Sequence, residues 1–251
     1  MDVEDIGSGP PVLAIHGLGG GAYFFRSIAE RLRHDYRIIS VDLPTTPGCS
    51  MAGWVDELGT IVDERIGGPV VILGHSMGTI IGLEAWRAWP EKLRGLVFVG
   101  GVPRVAPHIH ERLSERVRAL RDEPDLAGWG KRVSPGVFAA STFQGRPEVV
   151  GAFERLFETQ SVDAYVRCCE ILISANAEDI VPTVTVPCAA ITGAEDQYAP
   201  PSAVREFVAR LPAPCPVEII DGAAHLPFLE QPDEFAEAVN RVLSLTRRAE
   251  L

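Results

Sequence analysis

Short apolar runs that alternate with segments of helical period constrain this chain more than any other feature. Val12–Gly17, Arg37–Asp42, Val70–Ser76, Leu96–Gly101, Ala189–Thr192 and Val217–Ile220 are brief and rich in β-branched residues, the pattern of strands buried on both faces. Between them Tyr23–Arg33, Trp54–Ile66, Met77–Trp89, Ser202–Leu211 and Asp233–Leu245 carry apolar residues every three to four positions. Strand and helix in alternation predict an α/β fold, a parallel sheet with helices on both faces.

From about Pro103 to Pro182 the alternation stops. His110–Arg121, Leu126–Val133, Pro147–Glu158 and Val162–Ala175 are all helical in period, with no strand among them. An excursion of this length is too long for a plain loop. It predicts a helical cap over residues 103–182, set into a core of residues 1–102 and 183–251. A cap of this kind is expected over the carboxyl edge of the sheet, where such folds bind ligands.

Composition removes several classes of function. Lys and Arg number 23 and Asp and Glu 34, a net charge of −11 that repels phosphate backbones and anionic lipid. No nucleic-acid or membrane partner is therefore expected. Apolar runs fall short of a membrane span, and the acidic start Met1-Asp2-Val3-Glu4-Asp5 is unlike a secretory signal. A soluble cytoplasmic protein is the expectation, monomer or homodimer. The cysteines, Cys49, Cys168, Cys169, Cys188 and Cys215, lack CxxC spacing and read as reduced thiols. No metal site is expected, since His108 and His110 stand apart from other ligands and, like His34, lie among solvated charges.

The chemistry starts at Gly74-His75-Ser76-Met77-Gly78, a G-x-S-x-G between a strand and a helix. A sharp strand-to-helix turn lifts a serine hydroxyl above the sheet edge, next to free N–H groups of the helix start. The hydroxyl becomes a nucleophile only with a base beside it. His225, in the small-residue loop after the last strand, falls at the same edge; His75 is expected to pack under the turn and His16 to fix the following loop. Asp196, just past the preceding strand, is the first choice to orient His225, with Glu195 and Asp221 as competitors. The amides of Leu18 and Met77 are the expected oxyanion donors. Trp129, Phe138, Phe143, Phe157 and Tyr165 are candidates for an apolar substrate wall.

The same glycine loop supports a rival. Gly17-x-Gly19-x-x-Ala22 after a strand, with Asp42 ending the next one, fits a dinucleotide-binding fingerprint and hence an NAD(P)-dependent reductase. That reading leaves Ser76, Asp196, His225 and the helical excursion without a task.

Four segments carry a further likeness: His16-Gly17-Leu18-Gly19-Gly20, Gly74-His75-Ser76-Met77-Gly78, the run from Gly193 to Pro200, and the run from Gly222 to Pro232. In this order they resemble the α/β-hydrolase superfamily. The cap stretch from Asp163 to Glu170 with Val186-Pro187-Cys188 is similar to its 3-oxoadipate enol-lactonase-like branch. The resemblance implies a serine hydrolase with a Ser76–His225–Asp196 triad, no cofactor, and a small ester or lactone as substrate. A C–C bond hydrolase and a non-catalytic ligand receptor share the same frame. The segment from Asp42 to Ser50 departs from the family's glycine turn, which leaves the pocket rim open. Thr79 stands where a third glycine is frequent, a change expected to tighten helix packing. The chain also begins almost at the central sheet, so a leading antiparallel strand is expected to be absent.

Overall fold

In the computed structural model, which describes residues 1–248, the strands are β1 (Asp2–Gly7), β2 (Pro11–Ile15), β3 (Arg37–Asp42), β4 (Val70–His75), β5 (Leu93–Val99), β6 (Cys188–Gly193) and β7 (Val217–Ile220). They form one seven-stranded sheet in the order β1-β3-β2-β4-β5-β6-β7. β2 to β7 run parallel, and only β1 is antiparallel, with Asp2 opposite Asp42 and Gly7 opposite Arg37.

That first strand corrects the expectation of its absence. Its acidic residues conceal it, because an edge strand keeps charges that a central strand cannot hold. Asp5 pairs with Arg37 at 2.7 Å, and Glu4 pairs with Arg26. Ile6 turns inward against the core.

The helices flanking the sheet are α1 (Arg26–Leu32), α2 (Met51–Ile61) and α3 (Met77–Ala88) before the cap, then α9 (Pro201–Val208), α10 (Pro227–Glu230) and α11 (Pro232–Arg248) after it. α1 packs with α11 and α2 with α3. β4 is buried along its whole length, as a strand covered on both faces must be. No helix among the described residues is long and apolar enough to cross a membrane.

Between β5 and β6 lie α4 (Pro107–Asp122), α5 (Trp129–Val137), α6 (Ala140–Gly145), α7 (Pro147–Glu158) and α8 (Val162–Ser174). The helix α6 has no counterpart in the sequence reading, since six residues are too few to display a period. The strand order reverses around β2, whose neighbours are β3 and β4. The loops leaving β2 and β4 therefore open side by side at the carboxyl edge, the position where doubly wound sheets take ligands.

Candidate active site

β4 ends at His75 and α3 begins at Met77, so Ser76 alone makes the turn. Its φ is 53°, and it is the sole non-glycine residue with positive φ among those described. Such a conformation costs about 1–3 kcal/mol and persists only where its surroundings hold it. Here they do. A Cβ on Gly74 would lie 2.3 Å from the Gly78 carbonyl oxygen, and one on Gly78 would lie 2.3 Å from that of Ile15. The two glycines let strand, turn and helix close to a distance that any side chain would prevent. Thr79 donates its hydroxyl to the Gly74 carbonyl at 3.0 Å, tightening the same turn.

Above the turn three side chains align. Ser76 Oγ lies 3.0 Å from His225 Nε2, and His225 Nδ1 lies 2.9 Å from Asp196 Oδ2. The other carboxylate oxygen, Oδ1, accepts from the amides of Tyr198 at 2.8 Å and Ala199 at 3.0 Å. Asp196 is thus fixed by its own loop and presents one oxygen to the imidazole. Burial pushes its carboxyl up, but the charge of His225 and these hydrogen bonds outweigh burial and hold it below the ordinary range. The competitors point elsewhere: Glu195 is exposed and accepts from the Ala140 amide at 3.2 Å, and Asp221 faces solvent.

His75 and His16 support the site from beneath. His75 Nε2 donates to the His225 carbonyl at 2.9 Å, while its buried Nδ1 has no hydrogen-bond partner among the described residues. Burial, reinforced by the nearby His225, lowers its pKa to about 3. His16 Nδ1 donates to the Gly17 carbonyl at 2.8 Å, and its Nε2 accepts from the Leu43 amide at 3.1 Å. That pair of bonds requires a neutral ring and stitches the loop after β2 to the end of β3.

Leu18 and Met77 border the same cavity as Ser76 and His225, a space of about 70 Å³ between the sheet edge and the cap helices. Neither backbone amide has a protein acceptor among the described residues. Free amide donors on residues bordering the cavity that holds the Ser76 hydroxyl are what an oxyanion would need.

The rival use of the glycine loop meets a specific obstacle. Asp42, which a nucleotide ribose would need, accepts from the Ala22 amide at 2.7 Å through Oδ1. Its carboxylate holds the loop end.

Of the five aromatic candidates, Phe157 and Tyr165 line the cavity. Trp129, Phe138 and Phe143 do not, and this corrects the sequence reading. Trp129 lies at the start of α5 under the guanidinium of Arg132, 4.9 Å from its ring centre. Phe138 stands behind the wall, edge-on to Phe153 at 5.2 Å, and Phe143 is 38% exposed. Phe153, one helical turn before Phe157 on the same face of α7, lines the cavity instead.

The sequence reading also gave no role to Glu230, which joins the cap to the His225 loop. Its Oε1 accepts from the amides of Ala224 at 2.8 Å and Leu226 at 3.3 Å. Its Oε2 accepts from the Ala139 amide at 2.7 Å and the Thr142 hydroxyl at 2.8 Å. The His225 amide donates to the Val137 carbonyl of the cap at 3.1 Å, closing the same seam. An acidic residue five places after His225 is a visible signal, but its partners are backbone groups no sequence pattern names.

Residues 12–238 match the family described as alpha/beta hydrolase, and the chain belongs to that family. It is similar to a pimeloyl-[acyl-carrier protein] methyl ester esterase of Chromobacterium violaceum, at 26% identity over 94% of this chain and 95% of the relative. Among solved structures, a thermophilic esterase from Thermogutta terrifontis superposes with a TM-score of 0.88 at 23% identity, covering 98% of this chain and 93% of that one. The enol-lactonase from Burkholderia xenovorans LB400 superposes with a TM-score of 0.85 at 17% identity, covering 97% and 96%.

Proposed function

We propose that this protein is a serine hydrolase cleaving carboxylic esters or lactones through an acyl-enzyme. One observation carries the reading: the unbroken array from Ser76 Oγ through His225 to Asp196, at 3.0 and 2.9 Å, on a serine held at positive φ. The methyl ester esterase among its relatives supports the choice of bond.

The chemistry follows from the atoms. Ser76 Oγ attacks the substrate carbonyl carbon while its proton passes to His225 Nε2. The carbonyl oxygen becomes an oxyanion and is met by the amides of Leu18 and Met77. Asp196 keeps the Nδ1 proton of His225 in place and stabilises the imidazolium as it forms. Collapse of the tetrahedral intermediate breaks the bond to the leaving alkoxide, which takes the proton from His225. A water then adds to the acyl-enzyme, giving its proton to His225, and the second collapse returns the proton to Ser76 as the acid leaves. The cap, residues 103–182 by the sequence reading, closes the cavity from above and excludes bulk water.

The test is a fluorophosphonate probe combined with turnover of p-nitrophenyl acetate. Wild-type protein is expected to be labelled once, at Ser76, and to release p-nitrophenol. Ser76→Ala is expected to lose both. Labelling that persists in the variant, or wild-type protein without turnover, overturns the reading, the latter in favour of a ligand receptor.

A further inference from the structure

Besides the hydroxyls of Tyr165 and Tyr198, the lining of the cavity is polar at two places. One is the serine and histidine already described. The other is Arg116, on α4, which forms part of the cavity wall and is 8% exposed. A buried guanidinium keeps its charge at any physiological pH. Its one hydrogen bond among the described residues goes from Nη1 to the Tyr165 hydroxyl at 2.6 Å. The Trp129 ring centre lies 5.9 Å away. Neither partner is an anion, since burial pushes the Tyr165 hydroxyl up and keeps it protonated.

Elsewhere this acidic chain pairs its arginines freely. Arg31 meets Asp233, Arg37 meets Asp5, and Arg87 meets Asp179. Glu170, on the α8 helix that packs against α4, is taken by Arg121. Among the described residues no carboxylate lies within the 4 Å of an ion pair with Arg116, and the cavity wall contains no Asp or Glu. A cation removed from water without a counter-ion is strongly unfavourable. Cores hold such a group where something else supplies the charge. A guanidinium presents five N–H donors in a planar fork that suits a carboxylate in two-point contact. One donor is used by Tyr165, and the others have no protein acceptor among the described residues.

We infer that the cavity takes an ester or lactone carrying a free carboxylate away from its scissile carbonyl, and that Arg116 binds this carboxylate. The inference rests on the serine-hydrolase reading and names the substrate class for the same site. The reacting carbonyl lies over Ser76 and the charged end at Arg116, so the two polar places in the cavity fix the two ends of one molecule. The apolar wall between them, Phe153 and Phe157 included, fits the methylene chain that separates the groups. The chain's net charge of −11 disfavours an anion approaching from solution, so selection for one requires a local cation of this kind.

The experiment compares kcat/KM for the mono-p-nitrophenyl ester of glutaric acid with that for p-nitrophenyl pentanoate, neutral and of equal chain length. Wild-type protein is expected to prefer the anionic ester at least tenfold. In Arg116→Met that ratio is expected to fall about 100-fold, the range of a lost charge-assisted pair, and Arg116→Lys to recover part of it. A wild-type preference for the neutral ester, or a ratio unmoved in Arg116→Met, overturns the inference. Should Arg116→Met fail to fold, inhibition of p-nitrophenyl acetate turnover in wild-type protein decides: glutarate is expected to inhibit at a tenfold lower concentration than glutaramide, and equal inhibition overturns the assignment. Absence of all ester turnover is a failure of the hydrolase reading instead. In that event calorimetric titration with glutarate and glutaramide still tests Arg116, with preferential glutarate binding as the supporting result and its lack as the overturning one.

Discussion

The cavity has two walls built on different principles. The sheet-edge wall is made of short loops whose backbone atoms are tied down one by one. The Ser76 amide donates to Val99 at 2.8 Å, the Glu195 amide to Ala223 at 2.9 Å, and Asp196 accepts from two amides of its own loop. The cap wall is made of side chains on helices. Phe153, Phe157 and Tyr165 meet ring to ring at 5.9 and 5.0 Å, and of these three rings Tyr165 is held by a hydrogen bond, the one from Arg116. The first wall fixes atoms to within the tolerance that proton transfer requires. The second sets volume and charge. On the proposed function, chemistry and selectivity are therefore expected to be separable, across a seam where Glu230, the Gln160–Gly19 bond at 3.2 Å and the Arg167–Thr45 bond at 2.7 Å tie cap to core.

The largest effect is expected on the sheet-edge wall. Asp196→Asn keeps the loop's shape but removes the charge that holds the Nδ1 proton of His225, so kcat is expected to fall about 10⁴-fold. Glu195→Gln, one residue away, changes an exposed side chain and is expected to stay within about threefold of wild type. Steady-state kinetics on p-nitrophenyl acetate compares the two. If Glu195→Gln is the crippling change, the acid is misassigned and the backbone-fixed wall does not hold its chemistry as described.

A smaller effect is expected across the cavity. Phe157→Ala is expected to change the ratio of kcat/KM for a bulky ester over p-nitrophenyl acetate by about tenfold, because it enlarges the space a long chain occupies. It is also expected to cost about 3 kcal/mol of stability, since the ring is 3% exposed. Phe143→Ala, at a ring 38% exposed and outside the cavity wall, is expected to leave the ratio within about twofold. Equal shifts in the two variants would mean that the cap aromatics act only through general packing.

This division also explains what could be read in the sequence. The meeting of Ser76, Asp196 and His225 at one edge of the sheet was legible because each follows within a few residues of a strand end, and that place determines its surroundings. The boundaries of β3 and β7 follow for the same reason, the strands being apolar and closed by turns. Cap aromatics were not legible in the same way. Period identifies a helix but not its rotation about its own axis, and rotation alone puts Phe153 and Phe157 on the cavity while Trp129 and Phe143 turn away. Arg116 was hidden more deeply. In α4 it lies between the exposed Arg112 and Arg118 and looks like another member of a solvated face. Only packing against Tyr165 singles it out. β1 was missed because its charges belong to an edge.

The smallest expected effect concerns the floor of the sheet-edge wall. His75 is buried and neutral, with a pKa lowered from 6.5 to about 3 by burial and by His225. In the unfolded chain the same ring protonates near its ordinary value. Between about pH 6.5 and 3 the unfolded state therefore binds one proton that the folded state refuses, and stability falls as pH drops through this window. One proton is worth about 1.4 kcal/mol per pH unit where the unfolded ring is fully charged. Asp196, held low, adds a loss of the same sign in a more acidic window, below its ordinary 3.8. Glu230, which burial raises above 4.5, acts in the opposite direction because its folded form takes up a proton first. A difference between variant and wild type removes both of those contributions. His75→Gln can still offer an N–H to the His225 carbonyl but has no proton to refuse. Its unfolding free energy, measured in urea at intervals from pH 7 to 4.5, is expected to decline less steeply than wild type by about 1.4 kcal/mol per pH unit at the acid end. Parallel slopes would show that His75 takes up its proton in the folded state. The floor beneath His225 would then be open to water, and the tightly tied wall would be looser than its hydrogen bonds imply.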